Sequence, residues 1–178
     1  MNNAESQQIV ISGVGGQGVL FITRLLADAA INRGMSVFTS ETHGMAQRGG
    51  TVISHLKAGV FPGPLIRPGQ ADGFIALKAE TVAQYCLFLK SGGWTIINGL
   101  REETDTNPAF YADADRLAET TGNPKAVNLI LLGFALAKAP SLFCSADDIQ
   151  SAIQNRLAGR TDLLNASLKA LEAGRELA

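Results

Sequence analysis

The chain has 178 residues, 46% of them hydrophobic and only 17% charged, with fifteen lysines and arginines against sixteen acids and a net charge of −1. That length suits one domain, predicted over residues 1–178, and the composition excludes a disordered or polybasic protein. No global positive field exists to gather nucleic acid or an anionic membrane, and the shortage of charge points to surface covered by a partner, or by a second copy in a homodimer of the isolated chain.

Residues 8–12, QIVIS, read as a short strand, followed by a glycine turn and an apolar helix over residues 19–31. Arg24 and Asp28 lie four apart on the expected exposed face of that helix, and Gly34 is placed to end it as a left-handed cap. A second strand over residues 35–40 completes a β-α-β unit with a right-handed crossover. Residues 41–50, ETHGMAQRGG, follow neither a helical nor a strand period and read as a loop.

A strand resumes over residues 51–57, and residues 59–69 hold Pro62, Pro64 and Pro68, a stiff surface excursion. Further strands are predicted at residues 73–77 and 94–98, separated by a helix over residues 80–90 and a Gly92-Gly93 turn. After a polar stretch come a short strand near Phe110 and a short helix over residues 113–119. Asn123 as cap and Pro124 as first-turn residue open a buried helix over residues 125–138. Ser145 and Asp148 form a capping box for a helix over residues 147–157, and a last helix over residues 162–173 ends at Gly174. The expected fold is a three-layer α/β/α domain with a Rossmann-like glycine turn.

Cys86 and Cys144 both read as core thiols, Cys86 within the apolar helix over residues 80–90. Two thiols cannot form a disulfide scaffold or supply the four ligands of common iron-sulfur clusters. The N-terminus MNNAESQQ lacks a basic head and an apolar run, and the apolar window at residues 127–137 falls short of the roughly 20 residues that cross a bilayer, so the expected compartment is the cytoplasm, with no membrane contact.

Gly13-Val14-Gly15-Gly16-Gln17-Gly18 holds G-x-G-x-x-G between a strand and a helix. Three readings fit it. Exposed backbone N–H groups at a positive helix end suit a dinucleotide, with Glu41 on a ribose hydroxyl; they also suit another anion or a partner's cofactor; or the glycines serve only tight packing. In the loop, His43, Gln47 and Arg48 lie within six positions, flanked by Gly44, Gly49 and Gly50. Arginine offers a planar fork to an anion, glutamine orients a polar group and histidine changes charge near neutrality. The same residues equally suit a structural loop in which His43 bonds to backbone and Arg48 pins the loop through Glu41. The remaining histidine, His55, lies in a strand, and no G-x-S-x-G elbow or G-x-x-x-x-G-K-S/T loop occurs, so independent catalysis finds no support.

The glycine turn GVGGQGV together with SETHGMAQRGG at residues 40–50, and the strand after it, resemble the gamma-type domain of 2-oxoacid:ferredoxin oxidoreductases. Ala71-Asp72, Gly92-Gly93 and residues 128–133 fit the same pattern, so the resemblance covers nearly the whole chain. The HGM-AQ-RGG form is most similar to the small (beta) subunit of the indolepyruvate branch; a gamma subunit for pyruvate, branched-chain or 2-oxoglutarate substrates and a stand-alone nucleotide-binding protein are the alternatives. The resemblance implies that the isolated chain binds no cofactor and is inactive, while a larger partner subunit carries thiamine diphosphate, Mg and 4Fe-4S clusters. Coenzyme A is then the cosubstrate and ferredoxin the electron acceptor through the complex. On this reading His43, Gln47 and Arg48 are the candidate catalytic residues. Gly13, Gly15, Gly16, Gln17, Gly18, Glu41, Thr42, Gly44, Gly49 and Gly50 form the candidate cofactor-binding backbone, without metal ligands.

Overall fold

The computed structural model describes residues 6–43, 50–101 and 109–178, with the side chain of residue 43 outside that description. Strands β1 (Gln7–Val14), β2 (Val37–His43), β3 (Thr51–Ala58), β4 (Ala71–Ala76), β5 (Leu89–Asn98) and β6 (Phe110–Ala112) form one mixed sheet of order β2-β3-β1-β4-β5-β6. The strands β1, β4, β5 and β6 pair in parallel, whereas β3 pairs antiparallel to both of its neighbours. Helix α1 (Val19–Asn32) links β1 to β2 as expected, and the two strands point the same way. They are not neighbours, however, because β3 occupies the slot between them.

Helices α1, α3 (Ala114–Thr120), α4 (Val127–Lys138), α5 (Ala146–Arg156) and α6 (Thr161–Glu176) share one core with Ile9 and Ile11 of β1, Leu56 of β3 and Ile75 of β4. The opposite face, with Val10, Ile53, Phe74 and Ile97, is covered by Val82, Tyr85 and Phe88 and by Ile66 of the proline excursion. The three layers of this α/β domain are therefore unequal. The predicted helix over residues 80–90 is instead a 3-10 turn, the four-residue α2 (Val82–Tyr85) and a second 3-10 turn, and residue 89 already belongs to β5. Val82, Tyr85 and Phe88 recur every three residues, a spacing that suits a 3-10 period better than an α one. On this thin layer Cys86 is exposed, correcting its reading as a core thiol, while Cys144 is buried.

Helix α4 is buried from Asn128 to Ala135 because it lies under α6 as well as beside the sheet core, and an all-round apolar helix needs cover on every side. A Cβ on Gly133 would lie 2.0 Å from the carbonyl oxygen of Leu171, and one on Gly174 would lie 1.9 Å from that of Ile130. Gly174 thus marks a close helix crossing inside α6 rather than its end. Gly92 and Gly93 likewise sit within β5, where the register jumps from Ala71 opposite Leu89 to Gly73 opposite Trp94, so they serve a strand irregularity rather than a turn. Asn123 makes no side-chain cap; its carbonyl accepts from the Ala126 amide in a 3-10 turn that leads into α4. The Ser145–Asp148 capping box is present in both directions. Among the described residues, no helix is long and apolar enough to cross a membrane.

Candidate functional site

The chain leaves β1 on one face of the sheet through α1 and leaves β4 on the other through α2, so the carboxyl ends of β1 and β4 flank a topological switch point. Open α/β sheets bind ligands at such crevices. The glycine turn occupies this position. Gln17 holds it there: the Val14 amide donates to Gln17 Oε1 at 2.9 Å, and Gln17 Nε2 donates to the carbonyl of Leu77 at 3.2 Å, just beyond β4. A Cβ on Gly13 would lie 2.9 Å from Gln17 Oε1 and from a Val19 methyl, so the glycine makes room for this clasp.

Gly16 and Gly18 are the left-handed positions of the turn, at φ 92° and 82°. Gly18 is the N-cap of α1 and meets Asn128 of α4 so closely that its missing Cβ would lie 2.1 Å from Asn128 Nδ2. No side chain caps α1 and no acid stands in its first turn. The first N–H groups of a helix lack intrahelical acceptors and carry the positive end of its dipole, so this end attracts an anion.

Beside it is a cleft of about 450 Å³ lined by Gly15, Gly16, Gly18, Phe21, Arg24 and Arg156 among others. Arg24 and Asp28, four apart on α1, form no ion pair with each other. Asp28 instead accepts from Arg156 of α5, with nitrogen–oxygen distances of 2.6 and 3.0 Å, leaving Arg24 exposed on the cleft wall. Arg24 therefore has no acid to neutralise it among the described residues.

The floor beyond the clasp is a fixed polar shelf. Thr81 donates to the Lys78 carbonyl at 2.7 Å, so Ser12 is the donor in the 2.6 Å contact between their hydroxyls. Asn98 donates to Leu77 O and Asp115 Oδ2 and accepts from the Ala114 amide, at 3.0 to 3.1 Å. These groups are spent on one another, which fixes the strand ends without a ligand.

Strand register brings the second motif here. His43 faces Val52, and Val52 faces Gly13, while Gly15 donates its amide to the carbonyl of Gly50 at 3.1 Å. Tyr85 Oη donates to Thr51 Oγ1 at 2.9 Å and anchors the following residue from the opposite face. Residues Gly44, Gln47, Arg48 and Gly49 lie outside the described residues; the segment that holds them ends at Gly50 against the glycine turn, while its start at His43 is level with Gly13 but separated from it by β3. Glu41 and Thr42 belong to β2 rather than to a loop. Glu41 stands level with Ile11 two strands away, roughly 10 Å across the sheet, because β3 intervenes. A ribose hydroxyl bound at the turn therefore lacks the neighbouring-strand acid that a dinucleotide site uses.

Sequence reading missed Arg24 and Asn128 as site residues. Asn128 had a signal, as the one amide in the apolar run VNLILLGFALA; Arg24 was read only as a residue of the exposed helix face.

Residues 8–177 match the family described as pyruvate ferredoxin/flavodoxin oxidoreductase. Indolepyruvate oxidoreductase subunit IorB of Archaeoglobus fulgidus is 32% identical over 188 residues, covering 93% of this chain and 92% of that one. The gamma subunit of a keto/oxoacid ferredoxin oxidoreductase from Geobacter sulfurreducens superposes with a TM-score of 0.73 at 26% identity, covering 97% of this chain and 98% of that one. A 2-oxoglutarate:ferredoxin oxidoreductase from Magnetococcus marinus, solved with 2-oxoglutarate, coenzyme A and succinyl-CoA bound, shares the fold at a TM-score of 0.77 and 19% identity. It covers 98% of this chain but only 31% of that one. The family match runs through both motifs that meet at the Gly15–Gly50 hydrogen bond, and the chain belongs to the pyruvate ferredoxin/flavodoxin oxidoreductase family.

Proposed function

We propose that this chain is the small subunit of an indolepyruvate:ferredoxin oxidoreductase, which oxidatively decarboxylates an aryl 2-oxoacid to an acyl-CoA and passes electrons to ferredoxin. The observation that carries this reading is the end-to-end match with an indolepyruvate oxidoreductase subunit, 93% of one chain against 92% of the other. That the same fold occupies about a third of a longer oxidoreductase chain supports a module that works inside an assembly.

The donor set of this chain fits that division of labour. Two cysteines cannot ligate a 4Fe-4S cluster, and no group of three His, Cys, Asp or Glu side chains converges among the described residues. The iron-sulfur clusters, thiamine diphosphate and its Mg are therefore assigned to a larger partner subunit, where thiamine diphosphate supplies the decarboxylation chemistry when bound. This chain's part is placement. The uncapped start of α1 and Arg24 draw an anionic group of substrate, coenzyme A or partner cofactor to the glycine turn. His43, Gln47 and Arg48 order the opposite wall, with Arg48 offering its fork to a carboxylate or phosphate.

The test is coexpression with the large subunit and assay of indolepyruvate-dependent, coenzyme A-dependent ferredoxin reduction. Arg48→Ala is expected to lower turnover in a complex of unchanged composition and cofactor content, and Arg48→Lys to restore it only in part. Failure of the two subunits to copurify, or activity of the large subunit without this chain, would overturn the proposal. Faster turnover with pyruvate or 2-oxoglutarate than with indolepyruvate would overturn the substrate assignment alone.

A further inference from the structure

A second cationic site lies at the other end of the sheet. Lys57 on β3 faces Gln8 on β1, six residues and about 20 Å along the strand from Thr51 at the glycine turn. Only 7% of its surface is exposed, and its ammonium lies 5.1 Å from the centre of the Phe61 ring. It lines a cleft of about 980 Å³ whose walls include Gln8, Gln70, Phe61, Pro64, Leu65 and Arg67. This is the upper end of the range for small-molecule pockets, about 300–1,000 Å³.

Neither cation has an acid among the described residues. The nearest carboxylate in register, Asp72, is taken by Lys90 and by the Gln8 amide, and the side chains of Lys57 and Arg67 form no ion pair or hydrogen bond among the described residues. Burial first, and repulsion from Arg67 second, hold the Lys57 pKa below its ordinary value. His55, two residues earlier on the same strand face, brings no negative charge; its Nδ1 accepts from the Ile66 amide at 3.2 Å and its ring meets Phe88 edge-on. An ammonium whose stem is covered and an exposed guanidinium share one cleft with no counter-charge among the described residues, and an anion between them relieves their mutual repulsion.

We propose that this cleft is a phosphate site, separate from the glycine turn, in which Lys57 and Arg67 hold the dianion of a phosphomonoester whose apolar part rests on Phe61 and Leu65. Two cations match the double charge of a phosphate better than a single carboxylate charge, and the arginine fork adds two donors to the lysine's point charge. The site is independent of the proposed oxidoreductase role.

Calorimetric titration of the purified full chain at constant ionic strength, with inorganic phosphate, phenyl phosphate and benzoate, tests it. Saturable one-to-one binding is expected, weakened at least tenfold by Arg67→Gln and by Lys57→Met and unchanged by Lys169→Gln, an exposed lysine on α6. Tighter binding of phenyl phosphate than of inorganic phosphate supports an organic phosphate, and equal affinities support free phosphate as the occupant. No saturable phosphate binding, wild-type affinity in Arg67→Gln, or benzoate binding as tightly as phenyl phosphate would overturn the proposal. Because Arg67 is exposed, its variant decides the matter even where Lys57→Met fails to fold.

Discussion

The amide of Gly15 donates to the carbonyl of Gly50 across 3.1 Å, joining two motifs that stand 35 positions apart in the chain. Neither motif predicts this contact. It follows from β3 pairing antiparallel to β1, which sets Thr51 opposite Val14 and brings the end of one segment against the start of the other. The candidate site is thus a product of sheet order, and substitutions in the glycine turn act on a junction held from several sides.

Gly18→Ala should be among the most damaging single-methyl additions in the turn. The new Cβ would stand 2.1 Å from Asn128 Nδ2, and the residue would keep a φ of 82° that costs an L-residue about 1–2 kcal/mol. We expect a loss of about 2–4 kcal/mol, the strain and overpacking terms together. Removing the clash with Asn128→Ala in the same chain should recover part of that loss and leave the backbone strain. Urea unfolding of the two single variants and the double variant measures this. Strict additivity would show that Gly18 and Asn128 do not meet.

Features set by local chemistry were legible in the sequence. Gly34 takes the left-handed conformation expected of a helix end, at φ 78°, and Ser145 and Asp148 close their capping box because both partners lie within one turn. Features decided by a distant partner were not. The spacing of Arg24 and Asp28 on one helix face does not reveal that α5 delivers Arg156, whose two nitrogens both reach the Asp28 carboxylate. A glycine near a helix end reads as a stop, and only the carbonyl of Ile130 reveals Gly174 as a contact. Glu41 matched the acidic position of a dinucleotide fold by sequence distance, but sequence distance does not show that β3 lies between.

The two cysteines should separate cleanly by reactivity. Burial first, and the negative charge of Asp148 second, push the Cys144 thiol up to about 12, while Cys86 is exposed. Because the thiolate is the reactive form, a disulfide reagent at pH 8 should modify one thiol quickly in the native isolated chain and both in denaturant. Cys86→Ser should remove the fast phase. A fast phase that survives this change would place Cys144 at the surface.

Asp148 makes stability depend on acid. Burial alone would raise its pKa, but hydrogen bonds from the Ser145 amide and hydroxyl and the Arg33 guanidinium outweigh it and hold the carboxyl below its ordinary value. A lowered native pKa contributes stability that is fully present above the unfolded value, about 3.9, and is lost as pH falls through the native one. Asp148→Ala should therefore cost about 1 kcal/mol at neutral pH, the worth of a helix cap with a partly exposed ion pair adding little. Urea midpoints between about pH 7 and pH 2 should show the two chains converging at the acid end. A difference that grows on acidification would reverse the sign and refute the assignment.

The crossing of α4 and α6 gives the last prediction its sign. In an exposed helix interior, Gly→Ala stabilises by about 1 kcal/mol, because alanine has the better helix propensity. At Gly174 the added methyl would instead stand 1.9 Å from the Ile130 carbonyl, an atom of another helix backbone that cannot swing aside like a side chain. Overpacking of this kind typically costs about 1–3 kcal/mol, and we expect Gly174→Ala to lie near the upper end. Gly34→Ala is the control: its site has open space around it but a φ of 78°, so it should cost about 1 kcal/mol through backbone strain alone. Chemical unfolding of both variants checks the order. If Gly174→Ala raises the midpoint, α6 is not seated on α4 at this glycine, and the apolar back of α4 must be covered by something else.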